Sequence, residues 1–153
     1  MTTPTYDLDA LAGLCADLGF PTNRPEARRL EVDLGEGAVL VFDVEEGDGL
    51  IGFAGGDWHT HGDLLFADAR GYSVSMTAAA LLPALADGRV LIRDHEARGR
   101  LVERSLFHVD YPDVIALEPG ERMVLRRAIV TSPIPEKPLP WGEGGARAEG
   151  VGG

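Results

Sequence analysis

The sequence predicts an α+β domain, a mostly antiparallel β-sheet with two helices, and three observations carry that expectation. Apolar residues recur at helical spacing in two short stretches, while several others alternate with polar residues or run continuously, as strands do. Short turns rich in Gly or Pro join successive strand-like segments, which favours hairpins. With 153 residues at 44% hydrophobic composition, the chain can bury one core but not two. Residues 1–130 are therefore expected to form one domain and residues 131–153 a flexible tail.

Leu8, Leu11, Cys15 and Leu18 fall on one stripe of a helix over residues 7–18, which Gly19 and Pro21 end. Cys15 reads there as a small buried hydrophobe, and as the sole cysteine it forms no intrachain disulfide. Residues 29–34 turn Leu30, Val32 and Leu34 inward and charges outward, the period of a strand with one wet face. Gly35-Glu36-Gly37 leads into residues 38–45, apolar on both faces and so a central strand. Glu46-Gly47-Asp48-Gly49 then turns the chain into residues 50–54. Residues 73–87, Ala-rich with Leu81, Leu82 and Leu85, read as a second helix ended by Gly88. Pro83 inside it removes a hydrogen bond at a cost of about 3 kcal/mol and predicts a kink or split near residue 82. Strands over 89–94 and 100–109 flank Ala97-Arg98-Gly99, and strands over 114–117 and 122–130 flank Pro119-Gly120. From Thr131 onward, Pro133, Pro135, Pro138, Pro140 and a glycine-rich end cannot bury enough apolar surface to offset their ordering entropy, and disorder is expected.

Asp and Glu number 25 against 14 Lys and Arg, a formal net charge of -11. That balance speaks against nucleic acid and anionic membrane surfaces as partners and is compatible with a basic protein. The lone cysteine, the lack of a charged leader before an apolar run and the lack of any stretch of roughly 18 apolar residues make the cytoplasm the expected location.

Chemistry concentrates in Asp57-Trp58-His59-Thr60-His61-Gly62-Asp63. If extended, this segment puts Asp57, His59, His61 and Asp63 on one side and Trp58 and Thr60 on the other. Two imidazoles and two carboxylates on one edge either hold a metal or hold each other. A zinc site takes three or four protein ligands, and His95, His108, Asp68 and Glu96 are the other candidates, none at a spacing that specifies it. His95 and Glu96 fall at a hairpin end, and His108 falls on the polar face of its strand. In the metal-free reading, Asp57 and Asp63 hydrogen-bond the two rings.

The run resembles the first metal motif of amidohydrolases and of polymerase-and-histidinol-phosphatase-type phosphoesterases, but those barrels take about 200 residues or more. Deubiquitinase-type metalloproteases place Ser and then Asp downstream, whereas Met76 and Ala78 follow the serines here. Cupins place Glu where Leu64, Leu65 and Phe66 stand. No Gly-x-Ser-x-Gly elbow and no lysine-bearing phosphate loop occur.

Over residues 8–130 the order helix, three-stranded meander, Trp-His-x-His segment, Ala-rich helix and further strands resembles small immunity proteins of bacterial toxin systems. Gly52-Phe53 precedes the His-x-His segment and Val90-Leu91-Ile92 follows the helix. The resemblance implies a non-enzymatic, cofactor-free inhibitor that binds a basic toxin through acidic and aromatic surface residues. Around the motif, residues of that kind are Asp57, Trp58, Asp63, Phe66 and Asp68. The enzyme alternative is a metal-dependent hydrolase holding zinc or another divalent metal through His59 and His61.

Overall fold

A computed structural model describes residues 6–130, and the tail expected over 131–153 lies outside them. The fold is α+β, and all its strand pairs are antiparallel. Helix α1 (Leu8–Leu18) precedes a five-stranded meander of β1 (Thr22–Glu26), β2 (Arg29–Asp33), β3 (Val39–Glu45), β4 (Asp48–Phe53) and β5 (His59–His61), paired in that order. A hairpin of β6 (Leu64–Ala67) and β7 (Ser73–Met76) leads to α2 (Ala78–Asp87). The third sheet centres on β8 (Val90–Ala97), with β9 (Arg100–His108) on one side and β10 (Glu121–Arg126) on the other.

Each helix is bounded by its own sequence. Asp7 accepts the Ala10 N–H at 3.1 Å to cap α1, and Gly19 at φ 94° closes it by donating its N–H to the Cys15 and Ala16 carbonyls. Thr77 caps α2 through the Ala80 N–H, so residues 73–76, read from sequence as helix, form β7 instead. Pro83 neither splits nor ends α2, which runs through it as one helix. The lost hydrogen bond is offset by burial of Leu81, Leu82, Ala84 and Leu85 around it.

Three other expectations change. Residues 114–117 form no strand; β10 pairs with β8 instead, from Glu121 opposite Ala97 to Arg126 opposite Ile92. β1, which has no apolar residue, is an exposed edge strand that tolerates Pro25 at an irregular register. β4 begins at Asp48, two residues early, because Glu45 pairs with Asp48 across a tight Glu46-Gly47 turn.

One hydrophobic cluster draws on both helices and all three sheets, including Leu11, Cys15, Phe42, Ile51, Leu64, Leu82, Val90 and Ile92. Polar ties cross it at one end. Asp94 on β8 accepts from Arg104 Nε at 2.7 Å and Arg126 Nε at 3.4 Å. The same guanidiniums reach the meander, donating to the Gly37 and Gly35 carbonyls at 3.2 and 3.3 Å.

His108, placed by sequence on a polar face, is buried at 6% exposure between the rings of Phe66 and Tyr111. Its Nδ1 accepts the Asp110 N–H at 3.1 Å. Burial pushes the imidazole pKa down; Arg89 adds to that and Asp110 opposes it. The unfolded chain, with a histidine pKa near 6.5, therefore takes up this proton first. The stability gained by keeping His108 neutral is present above about pH 6.5 and is lost as pH falls from there toward the folded value. Asp94 behaves differently. Burial opposes its charge, but Arg104 and Arg126 outweigh burial and hold its carboxyl below the usual range. Its contribution is present above about pH 4 and is lost below that, as the folded-state carboxyl protonates. Melting temperature should thus fall in two steps on acidification, and His108→Phe should flatten the first. A first step unchanged in that variant would assign it to another group.

Candidate functional site

β5 is the edge strand of the meander, with His59 opposite Gly52, Thr60 opposite Ile51 and His61 opposite Leu50. Gly52 permits this close pairing: a Cβ there would lie 2.9 Å from the Trp58 carbonyl oxygen and 3.2 Å from His59 Cβ. Exposure alternates as the motif predicts. Asp57, His59, His61 and Asp63 are exposed, while Trp58 and Thr60 are half-buried, with Trp58 packed 5.9 Å from Phe53. Tyr6 pins the far end of the strand by donating its hydroxyl to the Gly62 carbonyl and setting its ring edge-on to Phe42 at 5.9 Å. Burial, with Asp63 and Asp48 nearby, pushes the phenol up to about 12.

The partners of the two imidazoles are not the expected ones. His59 Nδ1 lies 2.9 Å from the backbone carbonyl oxygen of Asp57, and His61 Nδ1 lies 2.9 Å from Asp48 Oδ2. The carboxylates of Asp57 and Asp63 bond neither ring. The early start of β4 explains this, since it brings Asp48 alongside the end of β5. The rings themselves stand 5.2 Å apart between centres, at 79°. Among the described residues, no third His, Cys, Asp or Glu joins them in a group suited to a metal. His95 lies instead 3.4 Å from Glu121, and His108 is in the core.

Two of the expected contact residues are internal. Asp68, its side chain 2% exposed, accepts the Arg70 and Tyr72 amides at 2.9 and 3.0 Å and the Arg70 guanidinium at 2.9 Å. Burial opposes its charge, and Arg70 with the two amides more than compensates, holding the carboxyl below its usual range. Asp68 therefore closes the β6–β7 loop, with its carboxylate turned onto the loop's own amides and Arg70. Phe66 turns inward against His108, because β6 alternates Leu64 and Phe66 inward with Leu65 and Ala67 outward, and it also lines the recess beside Trp58. Asp57, Trp58 and Asp63 keep surface positions.

Sequence reasoning missed the recess beside Trp58. A cavity of about 250 Å³ opens there, lined by Trp58, His59, Leu65, Arg93, Tyr111 and Asp113 among others. Arg93 forms a buttress: it donates to Asp113 at 2.7 Å and to Ser105 Oγ at 3.1 Å, beside the Phe107 ring. An arginine directly after the apolar run Val90-Leu91-Ile92 was the one available signal. No spacing in the sequence connects residues 58, 93 and 111, which meet only on the lining of this recess.

The arrangement offers an aromatic-walled recess with the Arg93–Asp113 ion pair on its lining. Cys15 is fully buried, and burial pushes its thiol up to about 11, so it is no nucleophile at neutral pH. No described helix is long and apolar enough to cross a membrane. Compared with protein-family models, curated proteins and solved structures, the chain matches none.

Proposed function

We propose that this chain is a non-enzymatic cytoplasmic binding protein of the immunity type, which acts by occupying a basic protein partner. The supporting observation is the recess beside Trp58, with Tyr111 on its lining and Leu65 68% exposed at its margin. Aromatic faces of this kind suit an arginine or lysine side chain, which gains cation–π attraction. The net charge of -11 steers a basic partner toward the surface before contact. The hydrolase alternative keeps His59 and His61 but needs a third ligand that the described residues do not bring to them.

The test begins with a photo-crosslinkable residue at position 65 in the source cells, to identify a partner, followed by measurement with both purified proteins. A basic protein bound one to one, whose toxicity on expression is relieved by this chain, is the expected result. Trp58→Ala should weaken binding by about 2 kcal/mol or roughly 30-fold, more than Asp57 or Asp63 substitutions. The Asp variants should act on association rate and lose their effect as salt rises. A partner indifferent to Trp58→Ala and to salt, or substrate turnover by the purified chain, would overturn the proposal.

A further inference from the structure

We propose that His59 and His61 form a chelate for a divalent transition-metal ion, held through both Nε2 atoms, with Asp48 as a positioning residue. The inference needs no partner; it takes the two histidines of the hydrolase alternative without that reading's third protein ligand.

The tautomers come first. A carbonyl oxygen and a carboxylate oxygen carry no proton to give at neutral pH, so Nδ1 must be the donor in both His59 Nδ1–H···O (Asp57, 2.9 Å) and His61 Nδ1–H···Oδ2 (Asp48, 2.9 Å). Nε2 is then the nitrogen that each ring leaves to an ion. Metal-binding histidines are oriented in the same way, one ring nitrogen donating to a carbonyl or carboxylate and the other left to the ion. Here both second partners are in place, one of each chemical kind.

The two ring centres stand 5.2 Å apart, near enough for one ion with nitrogen ligands at about 2.0–2.1 Å to reach both rings once they rotate onto it. Both side chains are exposed on the same side of an edge strand, so the ion reaches them without opening the fold. The remaining coordination positions fall to water. Such a site suits an exchangeable ion bound by nitrogen, following the order in which copper(II) exceeds zinc(II).

The experiment uses the full chain without a histidine tag, titrated calorimetrically with zinc(II) and separately with copper(II). One ion per chain is expected, copper bound more tightly than zinc. His59→Gln and His61→Gln should each lower affinity at least tenfold, since each leaves a single imidazole. Asp48→Asn should lower it by about tenfold or more while leaving the metal-free melting temperature unchanged. Copper(II) should also broaden the ring resonances of His59 and His61 before those of His95 and His108, a reading that needs no variant to fold. Absence of saturable binding, equal binding in both Gln variants, or broadening that begins elsewhere would overturn the site. An Asp48→Asn affinity equal to that of the native chain would remove Asp48 from it.

Discussion

Asp94→Ala should destabilise the protein by about 3–5 kcal/mol, the cost of leaving buried charge without its counter-charge. The carboxylate is 10% exposed, and the guanidiniums of Arg104 and Arg126 that face it are 15% and 18% exposed. Removing Asp94 strands two cations in a site that already leaves Arg126 Nη2 without a hydrogen-bond partner. The damage would not stay local, because both arginines also hold the Gly35 and Gly37 carbonyls of the meander. Urea unfolding at neutral pH measures the loss. A change below about 1 kcal/mol would mean that water reaches these arginines and the cluster behaves as a surface pair.

Gly35→Ala should cost about 2–4 kcal/mol, combining backbone strain with overpacking. Gly35 sits at φ 93°, and a Cβ there would lie 2.5 Å from Cδ1 and 2.8 Å from Cβ of Ile129. The second distance matters more. A side-chain tip can rotate away, but moving Cβ means moving the backbone that donates the Ile129 N–H to the Leu34 carbonyl at 2.9 Å. Gly37 supplies the control, with φ 84° and no neighbour within 4 Å, so Gly37→Ala should show the backbone term alone, about 1–2 kcal/mol. Ile129→Gly in the Gly35→Ala background, which removes the Cβ as well as the tip, should recover part of the difference. Equal losses at the two glycines would place the whole effect in the backbone conformation.

The elements legible in the sequence are those whose own residues decide them. α1 carries its stripe, its Asp7 cap and its Gly19 stop within one segment, and β2 to β4 carry alternation and turns of their own. The elements missed depend on a neighbour. β1 has no apolar residue and is a strand only because β2 offers it a ladder. β7 reads in sequence as the start of the Ala-rich helix that follows it, but Thr77 caps that helix at Ala78 and Ser73–Met76 pairs with β6. Residues 114–117 resemble a strand in composition, yet the place beside β8 went to Glu121–Arg126.

The same division runs through the candidate site. Alternation along Asp57 to Asp63 placed the histidines on an exposed side correctly, because it follows from backbone geometry alone. Which carboxylate meets which ring depends on a different strand and its register, so Asp48 was invisible and Asp63 was overvalued. Asp68 shows a further limit: an aspartate two residues before an arginine reads as surface charge, although here the carboxylate turns back onto its own loop and is buried while Arg70 stays exposed.

Asp94 acquires its two counter-charges at very different times. Arg104 arrives ten residues later through a hairpin, whereas Arg126 is 32 residues away in sequence and returns to the opposite side of β8. Arg126 and Gly35 are 91 residues apart, and Ile129 closes on Leu34 across a similar gap. The meander pairs only chain neighbours, so its loop-closure entropy is small and it can form as it leaves the ribosome. The third sheet cannot be locked until residues near 130 have emerged. A nascent chain stalled before that point would display a formed first sheet with the far wall of its core still open, which is the interval in which a chaperone or an aggregating neighbour would find it.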